Sequence, residues 1–193
     1  RSIVQKISCN PLPTYAVEGA EMIVWLVGLS GAGKSTIARE LHKQWQAEDP
    51  ATVLIDGDEV REIFKHDSGP EAYTTAGRRV NAERIAAMCV WLDRQNINAV
   101  VSILCIFPDV LAANRGHYKD YFEVFIDAPL DQLEARDSKG LYASARAGEM
   151  PNVVGIDIPF PTPKYPNLAI PNDGPYLDAV AVATDILVMM GNH

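Results

Sequence analysis

Apolar positions along the chain fall into two patterns, short unbroken runs and longer stretches with a helical period. The runs are residues 22–27 (MIVWLV), 52–55 (TVLI), 99–104 (AVVSIL), 122–126 (FEVFI) and 168–170 (LAI). Short runs of this kind read as strands buried on both faces. Helical patterns separate them. One follows residue 33, with Ile37, Ala38 and Leu41 on its apolar side, and ends near Ala47 before Asp49 and Pro50. A short helix capped by Asp58 carries Val60, Arg61 and Phe64. Residues 76–95 are helical with Val80, Ala87, Met88 and Trp91 toward the core, and 109–121, 130–136 and a closing stretch from 173 or 174 to about 190 follow. Strands alternating with helices predict an α/β fold, a mostly parallel five-stranded sheet covered on both faces, with ligands at the carboxyl ends of its strands.

Two stretches lack a period. Residues 1–21, with Pro11, Pro13 and Gly19, read as an arm ahead of a single domain spanning 22–193. Residues 137–166 hold two Lys, one Arg, three Gly and five Pro, the composition of a lid and long loop. The chain begins at Arg1, not Met, as a trimmed chain or a piece of a longer polypeptide does.

The first strand runs into GLSGAGKST, which satisfies G-x-x-x-x-G-K-[ST] at Gly28, Gly33, Lys34 and Ser35. This is a phosphate-binding P-loop. Its glycines let backbone N–H groups point inward, and the N-terminus of the following helix adds unpaired N–H groups and a positive dipole end. Lys34 reaches the β- and γ-phosphates, and Ser35 offers a hydroxyl to Mg²⁺. Nucleotide binding, with a P-loop NTPase fold in three α/β/α layers, is the expectation.

Composition narrows the partners. Of 193 residues, 17 are basic and 25 acidic, and the net charge of -8 disfavours a general nucleic-acid or anionic-membrane surface. No apolar run approaches the roughly 18 residues of a membrane span, and the first twenty residues have no secretory pattern, so a cytoplasmic protein is expected. Cys9, Cys89 and Cys105 are widely spaced without a metal pattern and read as reduced thiols.

Three further constellations carry chemistry. Asp56 and Asp58 close the second strand; in an extended turn both face the γ-phosphate, one as proton acceptor and the other orienting a Mg²⁺-bound water. Arg78, Asn81 and Arg84, three residues apart, share a helix face and suit a phosphate-bearing acceptor, although a solvated charged face has the same spacing. Arg136, Lys139 and Arg146 give the lid segment positive charge for the transferring phosphoryl group. The four histidines show no ligand spacing.

GLSGAGKSTIA, LIDGDEVR, R-x-x-N-x-x-R at Arg78, Asn81 and Arg84, RDSKGLYASARAGEM and Gly155-Ile156-Asp157 together resemble the adenylyl-sulfate (APS) kinase family over residues 23–171. The resemblance implies an enzyme of sulfate assimilation, a homodimer that transfers the γ-phosphoryl of MgATP to the 3'-hydroxyl of a 5'-modified nucleotide. Gly31, Ala32, Gly33, Lys34, Ser35, Thr36 and Arg136 are then nucleotide-binding, with Ser35 also on Mg²⁺. Asp56, Asp58, Lys34 and Lys139 are implied to be catalytic. Asp58, Arg61, Arg78, Asn81, Ile103, Leu104, Lys139, Gly140, Leu141 and Val153 are implied to contact the acceptor.

The acceptor motifs depart from the family pattern. I-S-P-[FY]-R reads Leu104 to Pro108 here, Phe-Thr-Gly-Ile-Asp begins at Val153, and Leu-Gly-Phe ends at Pro70. The two aromatic faces that hold the acceptor adenine in the family are thus absent, worth about 1 to 3 kcal/mol each; Tyr73 and Phe160 are the candidate replacements. Three readings follow: an APS kinase, the same chemistry on a cytidine diphosphate derivative such as the cytidine diphosphoramidate of capsule biosynthesis, or a non-catalytic nucleotide-binding regulator.

Overall fold

The computed structural model describes residues 21–69, 71–137, 140–174 and 177–191. The expected N-terminal arm, with Cys9, lies outside the described residues. Among these residues five strands, β1 (Ile23–Val27), β2 (Thr52–Asp56), β3 (Asn98–Ile103), β4 (Tyr121–Asp127) and β5 (Leu168–Pro171), form one sheet in the order β2-β3-β1-β4-β5. Every neighbouring pair is parallel. Central β1 is buried along its whole length, including Trp25, so it carries no polar residue.

Among the described residues, seven helices accompany the sheet: α1 (Lys34–Glu48), α2 (Gly57–Ile63), α3 (Thr75–Asp93), α4 (Pro108–His117), α5 (Leu130–Arg136), α6 (Leu141–Arg146) and α7 (Ala179–Met190). From β1 the chain crosses β3 to reach β2; from β2 it returns through β3 toward β4. Right-handed connections therefore put α1 on one face and α3 and α4 on the other, and α1 packs on α7 while α3 packs on α4. This is the expected three-layer α/β/α arrangement. The connections leaving β1 and β3 diverge over opposite faces and open a crevice at the carboxyl ends of these strands.

Several local expectations are corrected. Asp56, not Asp58, caps α2: its side chain accepts from the Asp58 N–H, and the helix begins at Gly57, so the aspartate turn is helical instead of extended. The core face of α3 is Asn81, Ala82, Ile85, Cys89 and Leu92, whereas Ala87 is exposed, Met88 is half-buried, and Val80 and Trp91 are 40% and 63% exposed. Gly77 lies on the same buried face. A Cβ there would lie 2.2 Å from the Glu71 carbonyl oxygen and 2.7 Å from that of Ala72, so only glycine lets the preceding loop close on the helix. Counting apolar residues alone misses this face because Asn81 belongs to it. Helix α4 ends at His117 because Tyr118 and Tyr121 are drawn into the core, and α7 starts only at Ala179, capped by Asp178. The 137–166 stretch also contains α6 and a bridge between Val154 and Ile158.

Candidate active site

The crevice is a cavity of about 570 Å³. At one end, the loop after β1 turns through Gly31 and Gly33, whose φ of 76° and 94° lie in the left-handed region that favours glycine. Gly28 is small for another reason: a Cβ there would meet the Ile126 carbonyl oxygen at 2.7 Å. Lys34, 9% exposed, curls back so that Nζ donates to the Leu29 carbonyl at 2.7 Å. Burial lowers its pKa from 10.5 to about 8, against the opposing pull of Asp58 and Asp56.

The hydroxyl of Ser35 donates to Asp56 Oδ2 at 2.7 Å and lies 3.1 Å from Ser102 Oγ. Asp56 Oδ1 accepts from the Asp58 N–H at 3.0 Å. Both oxygens of Asp56 are engaged, while the Asp58 carboxylate accepts no hydrogen bond among the described residues. Ser35, Asp56 and Asp58 supply oxygen donors only, and the described residues contain no cluster of three His, Cys, Asp or Glu able to hold a metal. Such a sparse oxygen set fits Mg²⁺, which keeps water and phosphate oxygens as its other ligands.

The opposite end gathers cations. Arg61, 4% exposed, donates from Nη1 to the Ala72 carbonyl at 2.6 Å. Arg78 donates to the carbonyls of Tyr73 and Asn152, both at 2.9 Å, and so ties two loops together. The guanidinium carbons of Arg61 and Arg78 sit 5.0 and 5.7 Å from the centre of the Tyr73 ring. Asn81, 2% exposed, donates from Nδ2 to the Gly57 carbonyl at 3.0 Å, and its buried Oδ1 has no partner among the described residues.

Segments beyond β4 close the third side. The Asp137 carboxylate accepts from the Leu141 and Ala143 N–H groups, each at 2.9 Å, and holds the start of α6. From α6, the Tyr142 hydroxyl donates to the Ser30 carbonyl of the P-loop at 2.8 Å. Arg136 donates to Asn172 Oδ1 at 3.3 Å and to the Asn172 and Gly174 carbonyls, while Asn172 Nδ2 reaches the Ala32 carbonyl at 2.9 Å.

Nearly all the predicted residues thus meet on one cavity. Gly31, Gly33, Lys34, Ser35, Thr36 and Arg136 line its phosphate side; Asp56, Asp58, Arg61, Arg78 and Asn81 line its floor and far side; Ile103, Leu104, Leu141 and Val153 complete the wall. Ala32 is not on the wall but buried behind the loop, and Gly140 is the left-handed cap of α6, outside the wall. Lys139 lies outside the described residues. Arg84 does not share the site with Arg78: it stacks over Phe64 at 4.8 Å. Arg146 pairs with Glu134 at 2.8 Å, and Phe160 stacks on Phe125, so neither reaches the wall, whereas Tyr73 does. The sequence reading missed Ser102, Tyr142 and Asn172. Ser102 is opposite Asp56 in the β2–β3 register, a relation visible only after pairing; Tyr142 was signalled by its place in RDSKGLY.

The sequence profile of the adenylylsulphate kinase family matches residues 20–171. The chain belongs to the adenylylsulphate kinase family. Curated relatives include a cytidine diphosphoramidate kinase of Campylobacter jejuni, 37% identical over 142 residues (74% of this chain and 81% of the relative). An adenylyl-sulfate kinase of Deinococcus deserti is 37% identical over 155 residues, 80% of this chain and 84% of the relative. The Mycobacterium tuberculosis APS kinase CysC, solved in complex with AMPPNP and APS, superposes with a TM-score of 0.77 at 32% identity, covering 89% of this chain and 98% of that one. This member of the family is a phosphotransferase with an ATP-binding P-loop.

Where the family pattern is broken, the structure gives local reasons. Cys105 is buried, its Sγ donates to the Phe107 carbonyl, and burial pushes its pKa up to about 12, so it behaves as a small core residue. Pro108 opens α4 in the first turn, where a missing N–H leaves no helical bond unmade. Arg79, stacked 4.2 Å over Phe107, holds Asp109 through two bonds of 2.8 and 3.0 Å. No helix among the described residues is long and apolar enough to cross a membrane.

Proposed function

We propose that this kinase transfers the γ-phosphoryl group of MgATP to the 3'-hydroxyl of a 5'-modified nucleotide, with adenylyl sulfate as acceptor. The observation that carries the reading is one cavity with a lysine- and glycine-lined phosphate end, a cationic far end, and two aspartates between them. Gly31, Gly33, Lys34, Ser35 and Thr36 hold the ATP phosphates, with Ala32 shaping the loop from behind and Arg136 fixing the donor nucleotide. Ser35 holds Mg²⁺, which neutralises charge on the β- and γ-phosphates when bound. Asp58, whose carboxylate accepts no hydrogen bond among the described residues, takes the proton from the 3'-hydroxyl; that oxygen bonds to the γ-phosphorus as the bond to the departing ADP breaks. Asp56 keeps Ser35 in place. Arg61 and Arg78 hold the acceptor's anionic groups, and Asn81, Ile103, Leu104, Leu141 and Val153 its nucleoside.

Residues 137–166 act as the lid, with Lys139 and Gly140 delivered as it closes and water excluded. Residues 22–193 form the kinase domain behind an arm at 1–21, and the enzyme works as a homodimer in the cytoplasm, where buried thiols such as Cys89 and Cys105 stay reduced.

One observation favours a second acceptor. Val153, buried on the wall where the family carries an aromatic residue, suits a smaller base, and a relative named for cytidine diphosphoramidate supports the same chemistry on that compound. The retained Lys34, Ser35, Asp56 and Asp58 weigh against a non-catalytic regulator. The test is ADP release from MgATP with adenylyl sulfate and cytidine diphosphoramidate in parallel, from micromolar to millimolar. Turnover at low adenylyl sulfate supports the first acceptor, turnover with the cytidine compound alone moves the assignment to it, and tight ATP binding without turnover on either overturns the kinase reading.

A further inference from the structure

Beside the P-loop serine stands a hydroxyl that none of the roles above uses. Ser102 is buried on β3, and the parallel register sets its Cα opposite that of Asp56 on β2. Its Oγ lies 3.1 Å from Ser35 Oγ, and both serines face the cavity. Donor and acceptor follow from counting protons. A serine hydroxyl has one proton and two lone pairs, and a carboxylate only accepts. Ser35 gives its proton to Asp56 Oδ2 at 2.7 Å, so at the 3.1 Å contact Ser102 is the donor.

We propose that Ser102 is a positioning residue for the magnesium site, acting through the relay Ser102 O–H to Ser35 Oγ and Ser35 O–H to Asp56. The relay occupies the Ser35 proton and one lone pair, leaving a single lone pair for a cation beside the nucleotide phosphates. Three adjacent elements converge to build it: the C-terminal ends of β2 and β3 at one level and the first turn of α1 above them. Ser102 itself never touches the metal. Removing its hydroxyl leaves Ser35 Oγ held by Asp56 alone and less firmly oriented, while the P-loop N–H groups and Lys34 that bind the phosphates remain unchanged.

The inference rests on the MgATP reading of this site, and nucleotide binding separates the two. ADP affinity is measured by calorimetry with and without Mg²⁺, and the ratio of the two dissociation constants is the magnesium enhancement. In Ser102→Ala we expect metal-free ADP affinity unchanged and the enhancement reduced about 3- to 10-fold, the range for one neutral hydrogen bond. Ser102→Thr, which keeps the hydroxyl, restores it. In a Ser35→Ala background, Ser102→Ala has no further effect, because the residue acts only through Ser35. An unchanged enhancement in Ser102→Ala, an equal loss of metal-free affinity, or a change confined to acceptor KM each overturns the proposal. A wild-type protein without any magnesium enhancement overturns the MgATP reading as well. Thermal melting of each variant identifies a fold effect, and if Ser102→Ala melts early, the Ser102→Thr and Ser102→Cys pair, with and without a strong donor, decides the question.

Discussion

The two ends of the cavity are built by different means. The phosphate end is local. Gly28 to Ser35 form one continuous stretch from the end of β1 into the first turn of α1, and its shape follows from two left-handed glycines and the start of a helix. The far end, proposed to hold the acceptor, is assembled from separate segments, around residues 57–61, 73–81, 103–104 and 153–154, held by side chains that bond to distant backbone: Arg61 to Ala72, Arg78 to Asn152 and Asn81 to Gly57. A contiguous loop keeps its geometry when its surroundings change. A pocket joined by side-chain struts can lose or gain one contact without disturbing the others.

The largest effect is expected where the two ends of the cavity meet. Asp58→Asn should lower kcat by about 10²- to 10⁴-fold with little change in either KM, the usual loss for a general base. A kcat within a few-fold of wild type in rapid-quench assays moves the role to Asp56. Next, Arg78→Ala should lower kcat/KM for the acceptor about 10- to 100-fold, the scale of charge-assisted hydrogen bonds, and leave the KM for ATP within twofold. Equal losses on both substrates would mean that the ends are not separate.

The phosphate end is sharpened by pH. With its pKa lowered to about 8 in the free protein, Lys34 loses its proton as pH rises through that value. Bound phosphates favour the charged form, so binding takes up a proton above about pH 8. ATP affinity is therefore level below that pH and falls about tenfold between pH 7 and pH 9. Calorimetry in two buffers of unlike ionisation enthalpy reads the proton directly, and a flat profile would contradict the buried, poised lysine. The smallest effect belongs to Tyr142→Phe, which deletes the bond from α6 to Ser30. A preorganised loop should raise its KM for ATP only about 2- to 10-fold, and a much larger change would show that the P-loop depends on α6 for its shape.

The order of strands and helices, the P-loop, the two aspartates and the Arg78–Asn81 pair were all legible in the chain, because each rests on a local rule: apolar runs, a loop motif, or residues on one helical turn. Local rules failed where a neighbour intervened. Trp91 and Val80 look like core residues by period, yet Gly77 and Asn81 take the buried face of α3 and the two apolar residues stay exposed. Arg84 repeats the spacing of Arg78 and Asn81, yet it rests on Phe64 because the helix has turned away from the cavity there. Phe160 and Tyr73 were equal candidates as aromatic walls until Phe125 engaged the first and two arginines engaged the second.

By itself the sequence determined the α/β class, the phosphate loop, the family and most members of the site, because those features depend on contiguous residues and short periods. Tertiary structure alone decided that Asp56 rather than Asp58 caps α2 and binds Ser35, that Ser102 stands beside that serine, and that Asn172 supports the loop from the far side. The bonds of Ser35 to Asp56 and Ser102 and of Asn172 to Ala32 join residues 21 to 140 positions apart, and the packing of strands, loops and α1 at one end of the sheet, which no local pattern encodes, brings them within hydrogen-bond reach.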